Sequence, residues 1–440
     1  MKVFNFLLPF SDFCYILQQE EYDLKRYIKW LPRFFFRRNF QVRDHLRVTK
    51  RVKIMLGVIG VIWVVSFGVI GAVLASGWWW LVWLGIKMLL TPIDVYLGTA
   101  ITEPYFEAIK SKRRKLAAEI MRTKGKNTRI VVVAGSFGKT TTKNFIFQLC
   151  RYKYKAVMIP GNINTPAGIA DWVINNFREG TELLIGEVDA FYVGEIRRSL
   201  EVIPPDVAVL TNIGDQHLER FGGKAGLAQA LADTFLFAKA GAVLICDRQT
   251  ELELPSVSTR EMKFINPEKV KAEGLSVSNE INLGFAVTVA RNLGVTEKMI
   301  KDGIKDLELP ERRQYAGEVL GYEGIDDSYN ISFTTAQAGL AAARELAKKR
   351  KKKLLVVTAG IPELSRENRS KNEEYGKVLA ERAEAVVLLR SMLAGDVLKG
   401  LGGKGRVVGS FAEMAKKLQD WYPISEYVLL LQPELTDLYY

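Results

Sequence analysis

Between Val131 and Thr142 the chain reads VVVAGSFGKTTT: β-branched apolar residues, a turn on two glycines, then a lysine and three threonines. A buried strand that stops at Gly135 and Gly138 lets backbone N–H groups turn inward around phosphate oxygens, and the following helix adds the positive end of its dipole. Gly135, Ser136, Gly138, Lys139, Thr140 and Thr141 are therefore the candidate phosphate-binding set. Lys139 would reach the β- and γ-phosphates of ATP, and Thr140 would offer a hydroxyl to Mg²⁺. The usual GxxxxGK[ST] pattern wants glycine where Val133 stands, so this is a GxxGKT variant. Two more segments belong to the same chemistry. LLIGEVDA ends an apolar run at Glu187, and VAVLTNIGDQHLERFGG sets Asn212 and His217 just past another. The carboxyl ends of parallel strands share one rim, so Glu187 and His217 can converge on the loop and hold Mg²⁺ together with Thr140. The other histidine, His45, has no comparable context.

These residues need a scaffold, and the scaffold is legible in the alternation of elements. From Arg129 onward short apolar runs (RIVVVAG, ELLIGEV, VAVLTNI, AVLICD) alternate with helical stretches. That rhythm predicts a P-loop-type, doubly wound parallel α/β sheet over residues 128–309. A break near Leu307–Gln314 precedes a second series, EGIDDS, a helix from about Phe333, KLLVVTAG, AEAVVLLR, GRVVGS and EYVLLLQ. It predicts a smaller, Rossmann-like α/β domain over 310–440. The basic run Lys348–Lys353 falls at the end of its first helix, where cations suit the helix dipole.

The formal charge of +13 is concentrated in two places: Arg33–Lys53 has eight basic residues against one acidic, and Lys110–Arg129 nine against one. They account for the whole excess, so no basic groove remains for nucleic acid. Between them lie 33 residues without a formal charge, 54–86, with Trp63, Trp78, Trp79, Trp80 and Trp83. One straight span of that length would be about 50 Å long, too long for a bilayer core of about 30 Å. The expectation is an α-helical transmembrane hairpin over 54–97, turning at Ala75–Gly77, with Lys87 reaching for an interface or a partner. A basic, aromatic juxtamembrane region over 1–53 precedes it and a basic linker over 98–127 follows. The shared Lys and Arg excess places both flanks, both termini and the catalytic domains on the cytoplasmic side of the cell membrane. Cys14, Cys150 and Cys246 form no CxxC pair, which argues for reduced thiols and against structural zinc.

Several ordered blocks, GSFGKTTT, GNINTPAGIADWV, TNIGDQHLERFG, NEINLGFAVTVARNLGV, GIDDSYNISFTTAQAGL and TAGIPELSRENRSKNEEYGKVLAERAEAVVLL, resemble the Mur ligase family over residues 128–440. Within it they are most similar to the branch that adds D-alanyl-D-alanine to the muramyl tripeptide. The resemblance implies an ATP- and Mg²⁺-dependent amide ligase of peptidoglycan synthesis, in which a carboxylate takes the γ-phosphoryl group and an amine displaces phosphate from the acyl phosphate. It implies metal-binding roles for Thr140, Glu187 and His217, an adenine-facing role for Asn282, a nucleotide contact for Asp326 and a domain-junction role for Arg312, with Lys139, His217 and Arg312 as the catalytic set. The implied partners are a cell-envelope precursor, lipid-linked or soluble, an amino acid or dipeptide donor, and membrane lipids.

The sequence departs from the family in three ways. A membrane segment stands where the UDP-sugar-binding domain is expected. Counting on from His217, Leu231 occupies the position of the lysine whose carbamate holds a second Mg²⁺. LLLQPELTDLYY replaces a late Lys-Gly-Ser stretch. Two other readings stay open: an amidating ligase fed ammonia by a glutaminase partner, and a nucleotide-binding membrane scaffold that ligates nothing.

Overall fold

The structure, a computed structural model, describes residues 10–35, 46–74, 78–161, 163–255, 262–272, 275, 277–308, 315–328 and 331–432. Met1–Ser111 and Lys112–Glu434 form separate compact units.

The first unit is helical: α1 (Phe10–Gln19), α2 (Leu24–Phe35), α3 (Lys50–Leu74) and α4, which starts at Trp79 and runs to Thr123. Both α3 and α4 are long and apolar enough to cross a membrane. From Ile54 to Leu74, α3 rises about 31 Å at 1.5 Å per residue, one hydrocarbon thickness. The expected turn at Ala75–Gly77 lies outside the described residues. Gly98 lets α4 come close to α3, since a Cβ there would meet Ile59 Cγ1 at 2.7 Å. Pro92 leaves the Met88 carbonyl without its helical N–H, and Thr91 Oγ1 donates to that oxygen at 2.9 Å. The partner of Lys87 is Asp94, two turns along the same helix: Nζ lies 2.6 Å from Oδ1, and Trp63 Nε1 of α3 donates to Oδ2 at 2.8 Å. Both charged side chains are buried. Trp63 sits about halfway along α3, so the triad ties the two arms together at mid-height.

The linker expected over 98–127 is helix as far as Thr123. Nothing in Lys110–Arg122 disfavours helix, and ion pairs three residues apart, such as Arg122–Glu119 at 2.7 Å, support it.

In the second unit, strands β1 (Arg129–Ala134), β2 (Ala156–Met158), β3 (Leu183–Glu187), β4 (Val207–Leu210), β5 (Val243–Ile245) and β6 (Phe264–Ile265) form a parallel sheet in the order β2-β3-β1-β4-β5-β6. Alternation along β1 shows why the apolar runs are continuous. Ile130, Val132 and Ala134 enter one core with Leu227, Leu231 and Phe235, which Ala117 and Met121 of α4 join. Val131 and Val133 enter the other with Phe145, Ile146, Leu149, Leu283 and Phe285. A strand covered on both faces has no polar side to show. Burial pushes the Cys150 and Cys246 thiols up to about 12, so they pack as small apolar groups.

A second sheet follows, β11-β10-β9-β12-β8-β7, parallel except for the antiparallel pair β7 (Tyr315–Val319) and β8 (Tyr322–Asp326). Its remaining strands are β9 (Lys353–Thr358), β10 (Ala385–Leu389), β11 (Arg406–Val408) and β12 (Tyr427–Gln432). The helix Phe333–Arg350 starts in a capping box between Ser332 and Thr335 and carries Lys348, Lys349 and Arg350 in its last turn, as expected.

Asp94→Ala would leave the Lys87 ammonium buried without its counter-charge. Unfolding in detergent, followed by tryptophan fluorescence, should show a loss of about 3 kcal/mol, and Lys87→Met with Asp94→Leu should recover most of it. An unchanged Asp94→Ala protein would contradict the triad's role.

Candidate active site

The candidate phosphate loop occupies residues 135–138, between β1 and helix α5 (Lys139–Cys150). Two glycines are required there. Gly135 has φ +130° and a Cβ would meet Thr211 Oγ1 at 2.2 Å; Gly138 has φ +76° and a Cβ would meet Asn282 Oδ1 at 2.3 Å. The loop is pinned by the segment after β4. Ser136 N donates to Asn212 O at 3.1 Å, Phe137 N to Asn212 Oδ1 at 3.0 Å, and Gly214 N to Ser136 Oγ at 2.9 Å. No side chain caps the start of α5, so its first N–H groups keep the anion-binding character of a helix N-terminus.

Lys139 folds back across this loop. Its Nζ donates to Gly135 O at 2.7 Å and lies 3.2 Å from Asp189 Oδ2. Thr140 Oγ1 donates to Glu187 Oε2 at 2.9 Å, and Lys143 Nζ lies 3.4 Å from the same oxygen while donating to Ile159 O at 2.9 Å. Thr141 follows in the first turn of α5. The helix Val277–Asn292 brings Asn282 to the loop, where its Oδ1 accepts from Thr142 Oγ1 at 3.3 Å.

His217 sits on the same segment as Asn212, with φ +56°. Its Nδ1 faces Glu363 Oε2 at 2.5 Å, and its Nε2 is buried without a hydrogen-bond partner. Glu363 also pairs with Arg220 at 3.3 Å, and its backbone oxygen accepts from Glu219 N at 3.0 Å. Asp326 stands at the end of β8, where its carboxylate accepts within its own turn, from Ser328 N at 3.0 Å and from Ser328 Oγ. Arg312 lies outside the described residues, as do His45 and residues 433–440.

Thus Gly135, Ser136, Gly138, Lys139, Thr140, Glu187 and Asn282 come together. Thr140 and Glu187 supply hard oxygens already in contact, of the kind Mg²⁺ takes, and Nε2 of His217 has no hydrogen-bond partner among the described residues; no group of three or more His, Cys, Asp or Glu side chains that could hold a metal gathers among those residues. Leu231, in the helix Lys224–Leu236, is 1% exposed in the apolar core, so no carbamate can form there. Three neighbours escape a reading of sequence alone. Lys143 had a signal, being four residues beyond Lys139 on one helix, but Asp189 and Glu363 are placed only by the fold.

Lys143 and Glu187 are both buried, so the lysine neutralises the carboxylate in a medium where a lone charge is costly. Lys143→Met should lower stability by about 3–5 kcal/mol in thermal or chemical unfolding, and adding Glu187→Gln should return much of it. Identical melts for Lys143→Met and the unmodified protein would refute the pairing.

Comparison with known proteins gives this geometry a lineage. Residues 133–279 match the Mur ligase middle domain. The UDP-N-acetylmuramoyl-tripeptide–D-alanyl-D-alanine ligase of Bacillus subtilis is 27% identical over 280 residues, 58% of this chain and 60% of that protein. The chain spans about half to three-fifths of the length of the curated relatives it matches. Among solved structures, MurF from Acinetobacter baumannii superposes with a TM-score of 0.62 at 21% identity, covering 74% of this chain and 78% of that one. MurF from Thermotoga maritima, in complex with ADP, gives 0.61 at 24%, covering 73% and 80%. The chain therefore carries a Mur ligase middle domain in a fold that it shares with MurF.

Proposed function

We propose that this protein is an ATP- and Mg²⁺-dependent carboxylate–amine ligase that acts through an acyl phosphate on a cell-envelope precursor, anchored to the cell membrane by the α3–α4 hairpin. The observation that carries the reading is the Thr140–Glu187 contact beside the Lys139 loop, set within a Mur ligase middle domain. In the reaction, an oxygen of the acceptor carboxylate attacks the γ-phosphorus of ATP and ADP leaves. The amine of an amino acid or dipeptide then attacks the acyl carbon, phosphate leaves, and an amide remains. Lys139 and the loop amides would neutralise the charge spread over the transferred group. Mg²⁺, held by Thr140, Glu187 and His217, supplies further neutralisation of the phosphate oxygens when bound. Asn282 would face the adenine, Asp326 would contact the nucleotide, and Arg312 would act at the domain junction.

The length of α3 and the charge-free outer faces of the hairpin support membrane insertion, with the basic flanks and catalytic domains on the cytoplasmic side. A tethered ligase meets a lipid-linked acceptor at high effective concentration, and its basic flanks favour anionic headgroups. Leu231 favours the second reading, a nucleotide-binding scaffold. Phosphate release that requires both acceptor and amine separates the two readings, and a requirement for ammonia in place of an amino acid would mark an amidating ligase.

Lys139→Ala should lower acceptor-dependent phosphate release by at least about 10²-fold to 10³-fold without unfolding the protein. Near-normal turnover by the folded variant would remove the assignment. In liposomes, the full chain should prefer a lipid-linked precursor to its soluble UDP form, and a chain starting at Lys112 should lose that preference. Equal use of the soluble form by both would exclude the lipid-linked acceptor.

A further inference from the structure

Two residues other than glycine adopt left-handed backbone and meet each other: His217 at φ +56° and Glu363 at φ +61°. Such a conformation is strained for a residue with a Cβ and persists where the surroundings impose it. One residue follows β4 of the first sheet, and the other follows β9 of the second. We infer that Glu363 is a positioning residue for metal binding: its carboxylate fixes the imidazole of His217 with the proton on Nδ1 and the Nε2 lone pair free for Mg²⁺, so that the docked second sheet completes the metal site of the first. The inference rests on the metal reading of His217 given above.

Four contacts support it. The Glu363 carboxylate reaches His217 Nδ1 with one oxygen and Arg220 with the other, at 2.5 and 3.3 Å. The Glu363 carbonyl accepts from Glu219 N at 3.0 Å, which holds the backbone of the loop against the His217 segment. A fourth contact reaches the His217 segment from another element beside the second sheet: Thr334 N, in the first turn of the helix Phe333–Arg350, donates to Asp215 Oδ2 at 3.3 Å. A neutral imidazole carries one proton, and a carboxylate facing Nδ1 takes it as a hydrogen bond. Nε2 is left with a lone pair, and here that atom is buried with no hydrogen-bond partner. An imidazole nitrogen shut away from water and left unpaired is costly unless something else is to occupy it. Carboxylate partners of ligating histidines orient the ring and raise its basicity, and losing one costs about 10-fold to 100-fold in metal affinity.

The test uses the full-length protein in lipid nanodiscs, Mn²⁺ as the probe metal and the β,γ-imido analogue of ATP, with free Mn²⁺ read by electron paramagnetic resonance. Four forms are compared with the unmodified chain: His217→Ala, Glu363→Gln, Glu363→Asn and the double variant His217→Ala with Glu363→Asn. Asparagine tolerates left-handed backbone at least as well as glutamate, so Glu363→Asn suits the loop while it shortens the side chain and removes the carboxylate, and Glu363→Gln removes the charge at unchanged length. The expected result is a weakening of Mn²⁺ binding by about tenfold or more in each single variant, with the double variant no weaker than His217→Ala alone. Mn²⁺ affinity within twofold of the unmodified chain for both Glu363 variants, beside a weakened His217→Ala, would overturn the positioning role alone. Losses that multiply in the double variant would show that Glu363 acts independently of His217 and would overturn the positioning role. Unchanged affinity in His217→Ala would overturn the metal reading and this inference with it.

Discussion

A carboxylate buried at the end of β3 sets the terms for the second unit. Glu187 is only 2% exposed, and a charge in that position persists only with a cation and donors around it. Lys143 and Thr140 meet that need, and both come from α5. To deliver them, α5 must begin immediately after the turn from β1, which requires glycine where Thr211 and Asn282 approach the backbone. The segment after β4 then closes the loop from the other side through Asn212 and carries on to His217. The glycine loop and the Thr140–Glu187–Lys143 cluster are thus tied to one electrostatic requirement, met by residues that follow three neighbouring strands.

The helical unit solves the same problem in another setting. Lys87, Asp94 and Trp63 make a cation, an anion and a neutral donor in an apolar surround, as Lys143, Glu187 and Thr140 do. In both, a charge pair alone would leave oxygen lone pairs unused, and a third group takes one up. The hairpin triad joins two arms that also meet through Trp83 Nε1, which donates to Ser66 Oγ at 3.4 Å, and through the Arg51–Glu103 ion pair, so directional contacts define their register where apolar packing is permissive.

Much of this was legible in the residues. The strand-loop-helix at Val131–Thr142 is visible because period, glycine placement and the lysine all agree, and the strand ends carrying Glu187 and His217 follow from the parallel rhythm. The limits have physical reasons. A lysine on a helix normally reads as solvated, so the burial of Lys143 appears only when β2 and β3 cover it. Glu363 lies 146 residues from His217, and no local pattern joins them. A basic run such as Lys110–Arg122 looks like a linker by composition, yet it is a good helix former and continues α4. The β7–β8 hairpin turns at Leu320 and Gly321, both with positive φ, and leucine there gives no turn signal.

The proposed reaction requires the Lys139 loop and its neighbours to bind the phosphates of a nucleotide with Mg²⁺. Calorimetry of the full-length protein with AMP, ADP and the β,γ-imido analogue of ATP, each with and without Mg²⁺, tests it most directly. Affinity should rise with each added phosphate, with the strongest Mg²⁺ dependence for the triphosphate analogue. AMP binding as tightly as the triphosphate analogue, indifferent to Mg²⁺, would contradict it.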